Sequence, residues 1–188
     1  MRIVSLLPSA TEIVADLGLA GDLVGRSHEC QWPEEVREVP VVSTSRIDSA
    51  ALDGRQIDEA VRVAIEAGEA LYAVDGGMLA SLRPDIIITQ DLCRVCAVAD
   101  GDFAPVGARV ISLGPRTLGE VAESVRYLGR ELGVAGQGEF WANEMLRKIE
   151  RVRHAVAGRT RPRVFLAEWL DPPFASGHWI PEMVEAAG

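Results

Sequence analysis

A chain of 188 residues, 48% hydrophobic and 25% charged, is long enough to bury a core of its own and too apolar to be disordered throughout. Its formal charge of −9 sits mainly in the first half: residues 1–94 hold 8 Arg against 16 Asp or Glu, whereas residues 95–188 hold 11 Lys or Arg against 12. That balance argues against a nucleic-acid surface, and the basic run from Arg147 to Arg163 reads as solvated charge at the end and exit of a long helix. No uninterrupted apolar span reaches the length of a membrane helix, so no membrane insertion is expected. The opening residues have a charged start and a short apolar run, but Pro8 and Glu12 interrupt it and no small-residue cleavage site follows. The expectation is a cytoplasmic protein as written, or an extracytoplasmic one whose leader has been removed.

In chain order, residues 1–7 read as a first strand. Ser9-Ala-Thr-Glu12 reads as a capping box, with Ser9 as N-cap of a helix through Ile13, Val14 and Leu17 that ends at Gly18. A strand over Leu23 to Ser27 follows, and Val39 to Val42 is a short extended segment that Pro40 confines to an edge or loop. Helices are expected over Gln56 to Ala67, closed by Gly68, and over 75–82. Ile86, Ile87 and Ile88 then form a β-branched run without polar alternation, as in a strand covered on both faces of a parallel sheet. A loop or short helix around the cysteines, a strand over Arg109 to Leu113, and a helix from Thr117 with Glu120 completing a second capping box come next. This alternation predicts a parallel α/β sheet, Rossmann-like in its first lobe. From Gln137 to Ala157 the spacing of Phe140, Trp141, Met145, Ile149, Val152 and Val156 describes one long helix, after which Pro162 to Trp169 reads as another apolar strand and Ile180 as a final helical start.

Polar and aromatic groups crowd just past three strand ends, where open α/β sheets bind ligands. The first cluster is His28, Glu29, Cys30, Gln31 and Trp32; the second is Gln90, Asp91, Cys93 and Cys96; the third runs from Glu168 through Trp169, Phe174 and His178 to Trp179. Soft thiolates with imidazole suit zinc or iron, making His28, Cys30, Cys93 and Cys96 a candidate metal set. Equally, Cys93 and Cys96 one helical turn apart are compatible with inert buried packing. Three cysteines do not make a disulfide framework. No catalytic elbow, phosphate loop or dinucleotide fingerprint occurs, so no enzymatic activity is expected.

Four stretches carry a resemblance. Arg2-Ile-Val-Ser-Leu-Leu-Pro-Ser-Ala-Thr-Glu12, Leu17-Gly-Leu19, Val24-Gly-Arg-Ser-His-Glu-Cys30 and Leu82-Arg-Pro-Asp-Ile-Ile-Ile-Thr-Gln90 together resemble the opening lobe of the substrate-binding proteins of ABC importers for cobalamin and iron-siderophores. Asp91-Leu-Cys-Arg-Val-Cys-Ala-Val98 and Glu168-Trp-Leu-Asp-Pro-Pro-Phe174 with Gly177-His-Trp179 are similar to a subgroup labelled cobalamin-binding. The resemblance implies two α/β lobes joined by a rigid long helix, with ligand held between them, and a membrane permease of an ABC importer as partner. It implies an N-terminal lobe over 1–135, an interlobe helix over 136–158, and an incomplete start of a second lobe over 159–188.

On this resemblance the ligand is a corrinoid (cobalamin) or related metal chelate. Its contacts are His28, Glu29, Trp32, Gln90, Asp91, Trp169, Phe174, His178 and Trp179, with the tryptophans packing on a flat ligand and His28 as axial ligand or hydrogen-bond donor. The alternative is a metal-binding or thiol-redox protein, with zinc or iron at His28, Cys30, Cys93 and Cys96.

Overall fold

A computed structural model of the chain describes residues 1–90 and 107–188; Asp91, Cys93 and Cys96 lie outside the described residues. The chain divides into two compact units, Met1–Gly114 and Pro115–Gly188.

The first unit is built on a four-stranded, all-parallel sheet of β1 (Ile3–Ser5), β2 (Leu23–Arg26), β5 (Ile86–Gln90) and β6 (Arg109–Leu113), in the order β2-β1-β5-β6. The α/β class expected from the alternation is therefore the observed one. Ile86, Ile87 and Ile88 pair with Ile3, Val4 and Ser5 on one side and with Arg109, Val110 and Ile111 on the other. All three isoleucines are buried, as a β-branched run without polar alternation requires of a central strand. Val4 and Ile87 pack with Val42 and Leu79 into a core that Val24, Val74, Leu82 and Val110 extend. Gly25 is imposed by this packing: a Cβ there would meet Val4 and Leu82 side-chain carbons at 3.0 Å.

A second, antiparallel pair joins β3 (Ser43–Ser45) to β4 (Tyr72–Val74). The Val39 to Val42 segment is represented by a single parallel bridge of Val41 to Arg26, where the Arg26 N–H donates to the Pro40 carbonyl. Pro40 lacks an N–H to donate, which suits such an edge.

The helix starts are set by their caps and, in one case, by a proline. Helix α1 (Pro8–Asp16) has Leu7 as N-cap and no side-chain cap, so the box expected at Ser9 is not formed. Pro8 fits the first helical position, where its fixed φ is favourable and its missing N–H costs nothing, and this draws the start two residues earlier, the N-cap moving from Ser9 to Leu7. Helix α2 (Gly54–Ala67) begins two residues before the expected Gln56, because Asp53 and Gln56 form a reciprocal capping box. Helix α3 (Gly76–Leu82) is capped by Asp75, whose carboxylate accepts from the Met78 N–H at 2.8 Å.

The second unit contains α4 (Leu118–Glu131), α5 (Ala135–Val156), the antiparallel hairpin β7 (Ala167–Leu170) and β8 (Pro173–Ala175), and α6 (Ile180–Ala186). The capping box of Thr117 and Glu120 forms as expected. The turn from α4 to α5 passes through Gly133 at φ 78°, a left-handed conformation natural to glycine. The two helices touch backbone to backbone at Gly129 and Gly138, where a Cβ on Gly129 would fall 2.7 Å from the Gly138 Cα. Arg126 fastens the outside of this crossing, donating to Glu139 and to Asn143, each at 2.9 Å.

The apolar stretch Pro162 to Trp169 forms a shorter strand than the one expected over its whole length. Residues 161–166 have no regular structure, and the strand is confined to Ala167–Leu170, whose partner among the described residues is the neighbouring β8. Its side chains are largely exposed because a two-stranded hairpin covers at most one face.

Candidate functional site

The carboxyl ends of β1, β2 and β5 meet the start of β3 and the start of β4 around a concavity of about 220 Å³. Parallel strands all present the same end to this edge, so short sequence clusters far apart in the chain converge there. β5 contributes Thr89 and Gln90; the chain after β2 contributes Ser27 and Glu29; Ser43 and Tyr72 come from the antiparallel pair, and Leu6 and Pro8 form the apolar side.

The polar wall is internally bonded. The Ser43 hydroxyl donates to Ser27 Oγ at 3.1 Å, and the Glu29 N–H donates to the same oxygen at 3.3 Å. His28 Nδ1 lies 3.3 Å from Ser43 Oγ and 3.5 Å from Ser27 Oγ, and its ring stands 5.6 Å from that of Tyr72. Nε2 of His28 is buried and makes no hydrogen bond. Glu29 Oε1 stands 3.3 Å from it, close enough for charge attraction to a protonated ring yet outside hydrogen-bond geometry. The imidazole thus engages the hydroxyls that line the concavity, while Glu29 carries charge to its rim.

Arg26 holds this loop in place. Its side chain is buried, and the guanidinium donates to the carbonyls of Val39 (3.0 Å), Ser27 (3.3 Å), Cys30 (2.9 Å) and Arg37 (3.0 Å). A planar five-donor fork suits such a set of divergent carbonyls, which an ammonium could not span. Farther along the loop, Trp32 is 64% exposed.

Cys30 belongs to the interior. Its sulfur lies 3.0 Å from Thr11 Oγ1 and approaches the Ser5 carbonyl at 3.8 Å, and Thr11 Oγ1 also lies 2.8 Å from Ser5 Oγ, so the single Thr11 proton serves one of these acceptors at a time. Burial pushes the thiol pKa up, so this side chain is a neutral packing group at ordinary pH. Among the described residues no group of three His, Cys, Asp or Glu side chains is placed to hold a metal ion. Of the candidate metal set, Cys93 and Cys96 lie outside the described residues.

In the second unit, the Trp169 indole N–H donates to the Asp171 carbonyl at 3.0 Å, Phe174 is half exposed, and His178, at φ 54°, lies 6.0 Å ring to ring from Trp179. A larger hollow of about 760 Å³ lies against α5, lined by Asn143, Leu146, Arg147, Glu150, Arg153 and Glu182 among others. Its charged walls are paired, Arg147 with Glu144 and Arg153 with Glu150, and none of the candidate ligand residues borders it. Chemistry therefore favours the smaller concavity at the strand ends over the larger hollow.

A model of the periplasmic binding protein family matches residues 3–188. The chain belongs to this family. Among solved structures it is similar to the periplasmic vitamin B12 binding protein BtuF of Vibrio cholerae, with a TM-score of 0.68 and 21% identity. It is similar also to the periplasmic heme-binding protein RhuT from Roseiflexus sp. RS-1 in apo form, with a TM-score of 0.70 and 20% identity. Each similarity covers 100% of this chain and 64% of the other. S. aureus IsdE complexed with heme follows at 0.68 and 13%, with 100% and 63% covered. At these identities the likeness shows the fold. The chain spans about 64% of the length of the first two. The family expected from the motifs is thus the family found.

Sequence reasoning missed Ser43, Tyr72 and Arg26. Three-residue strands are too short to show a period, and the one available signal was Tyr72-Ala-Val74, β-prone and followed at once by the N-cap Asp75.

Proposed function

We propose that this chain acts as a substrate-binding component of an ABC importer and holds a corrinoid or related metal chelate at the carboxyl edge of its parallel sheet. The observation that carries the reading is the hydroxyl- and amide-lined concavity at that edge, in a chain of the periplasmic binding protein family. The names of its structural neighbours, a vitamin B12 binder and heme binders, support a flat metal macrocycle as the ligand class. A concavity of about 220 Å³ is smaller than sites that engulf a drug-sized ligand, and suits one edge of a large one. Trp32, exposed on the loop after β2, would pack on a flat ligand face, since an indole offers a large rigid apolar area.

On the same reading the partner is a membrane permease and the compartment is extracytoplasmic. No helix among the described residues is long and apolar enough to cross a membrane. The metal or thiol alternative draws no support from the described half of its residue set, because Cys30 is buried and bonded. Isothermal titration of the full chain with cyanocobalamin and with hemin tests the proposal. Saturable one-to-one binding at micromolar concentration or below supports it, and no binding of either rejects it.

A further inference from the structure

The groups lining the concavity in the first unit point to the kind of periphery its ligand carries; this inference rests on the functional reading above. Ser27, Ser43 and Thr89 bring hydroxyls, Gln90 a carboxamide and Glu29 a carboxylate. Hydroxyls and carboxamides each donate and accept, so they match neutral groups of the same kind on a ligand. Among the described residues that line the concavity there is no lysine or arginine, and the guanidinium of neighbouring Arg26 is directed at four backbone carbonyls. The one formal charge on the described wall is that of Glu29.

That charge stands at the open rim, on a side chain 61% exposed whose backbone is fixed. The Glu29 backbone N–H is tied to Ser27 Oγ at 3.3 Å, and Oε1 stands 3.3 Å from His28 Nε2. His28 is itself within hydrogen-bond distance of the Ser43 and Ser27 hydroxyls. A carboxylate brought to this edge meets like charge, whereas a carboxamide or hydroxyl finds donors and acceptors and no opposing charge. Discrimination by an unfavourable charge is a common route to specificity.

We propose that Glu29 makes this edge selective for a macrocyclic ligand whose entering periphery carries carboxamide or hydroxyl groups, and against one carrying carboxylates there. Cobalamin, rimmed by carboxamides, and heme, with two propionates, stand on opposite sides of this division.

Calorimetric titration of the full chain with cyanocobalamin, with each of its peripheral monocarboxylate derivatives, and with hemin tests the assignment at fixed pH and salt. At least one monocarboxylate should bind about five- to tenfold more weakly than the parent, the scale expected for like charges interacting at a partly solvated rim. Glu29→Gln, which removes the rim charge, should bring that ratio to within about twofold, and Glu29→Lys, which reverses it, should invert the ratio. Circular dichroism confirms that both variants fold. Monocarboxylates that all bind as tightly as the parent, or a ratio indifferent to Glu29→Gln and Glu29→Lys, would overturn the assignment. Binding of hemin without any cobalamin overturns it while leaving the functional reading intact. Silence from every probe removes the functional reading, and this inference with it.

Discussion

The Glu182 carboxylate accepts a hydrogen bond from the Leu118 backbone N–H at 2.8 Å, joining the first turn of α6 to the first residue of α4 across 64 positions of sequence. The first N–H groups of a helix have no partner within it, and a carboxylate there answers both the donor and the positive end of the helix dipole. Replacing Glu182 by Ala should therefore destabilise the second unit by about 1–2 kcal/mol, with Glu182→Gln losing roughly half of that. Urea unfolding followed by circular dichroism measures the difference. Equal stability of Glu182→Ala and the parent would show that water replaces the carboxylate without cost.

The contact of α4 with α5 at Gly129 and Gly138 leaves no room for a methyl group on either side. Gly129→Ala should cost about 1–3 kcal/mol through forced separation of the helices, despite alanine's better helix propensity. The sign of the change decides the matter: a stabilised Gly129→Ala protein means the helices part easily.

Arg26 serves four carbonyls from one buried guanidinium. Arg26→Met keeps most of the apolar stem but leaves these acceptors without their donor, at an expected cost of about 2–4 kcal/mol. Hydrogen exchange should show faster opening across residues 27–39, and Arg26→Lys should recover only part of the protection. Unchanged exchange in that segment would contradict the clamp.

The Cys30 thiol, its pKa raised by burial, is stabilised in its neutral form by the fold. An acid with a folded pKa above its unfolded value adds stability that is full below the unfolded pKa and is lost as pH rises through the folded one. In a protein carrying Cys93→Ser and Cys96→Ser, unfolding midpoints should accordingly fall as pH climbs beyond about 8.5, the ordinary cysteine value. Alkylation of the remaining thiol should be slow in the native protein and prompt in denaturant. A native rate close to the denatured one would place Cys30 at the surface.

Much of the fold was legible because it depends on local rules. Ile86–Ile88 announced a strand covered on both faces, and Thr117 with Glu120 announced the start of α4, since each signal lies within a few residues. The start of α1 was misread because two local rules competed there, and Pro8 at the first helical position prevailed over Ser9 as a cap. The start of α2 is less legible because its apolar spacing begins only at Ile57, four residues beyond the N-cap Asp53. At the site, the groups just past β2 and β5 were visible from strand-end position alone. Ser43 and the carbonyls gathered around Arg26 were not, since tertiary geometry brings them together and no periodicity encodes it.

The four-carbonyl clamp on Arg26 also bears on rates. A loop fastened to the sheet during folding has already given up its conformational freedom, so an arriving ligand need not impose order on residues 27–39. Encounter at this edge then depends on diffusion and orientation, with no slow step of loop organisation before contact. Differences in affinity between related ligands should accordingly appear in how long each stays rather than in how fast each arrives.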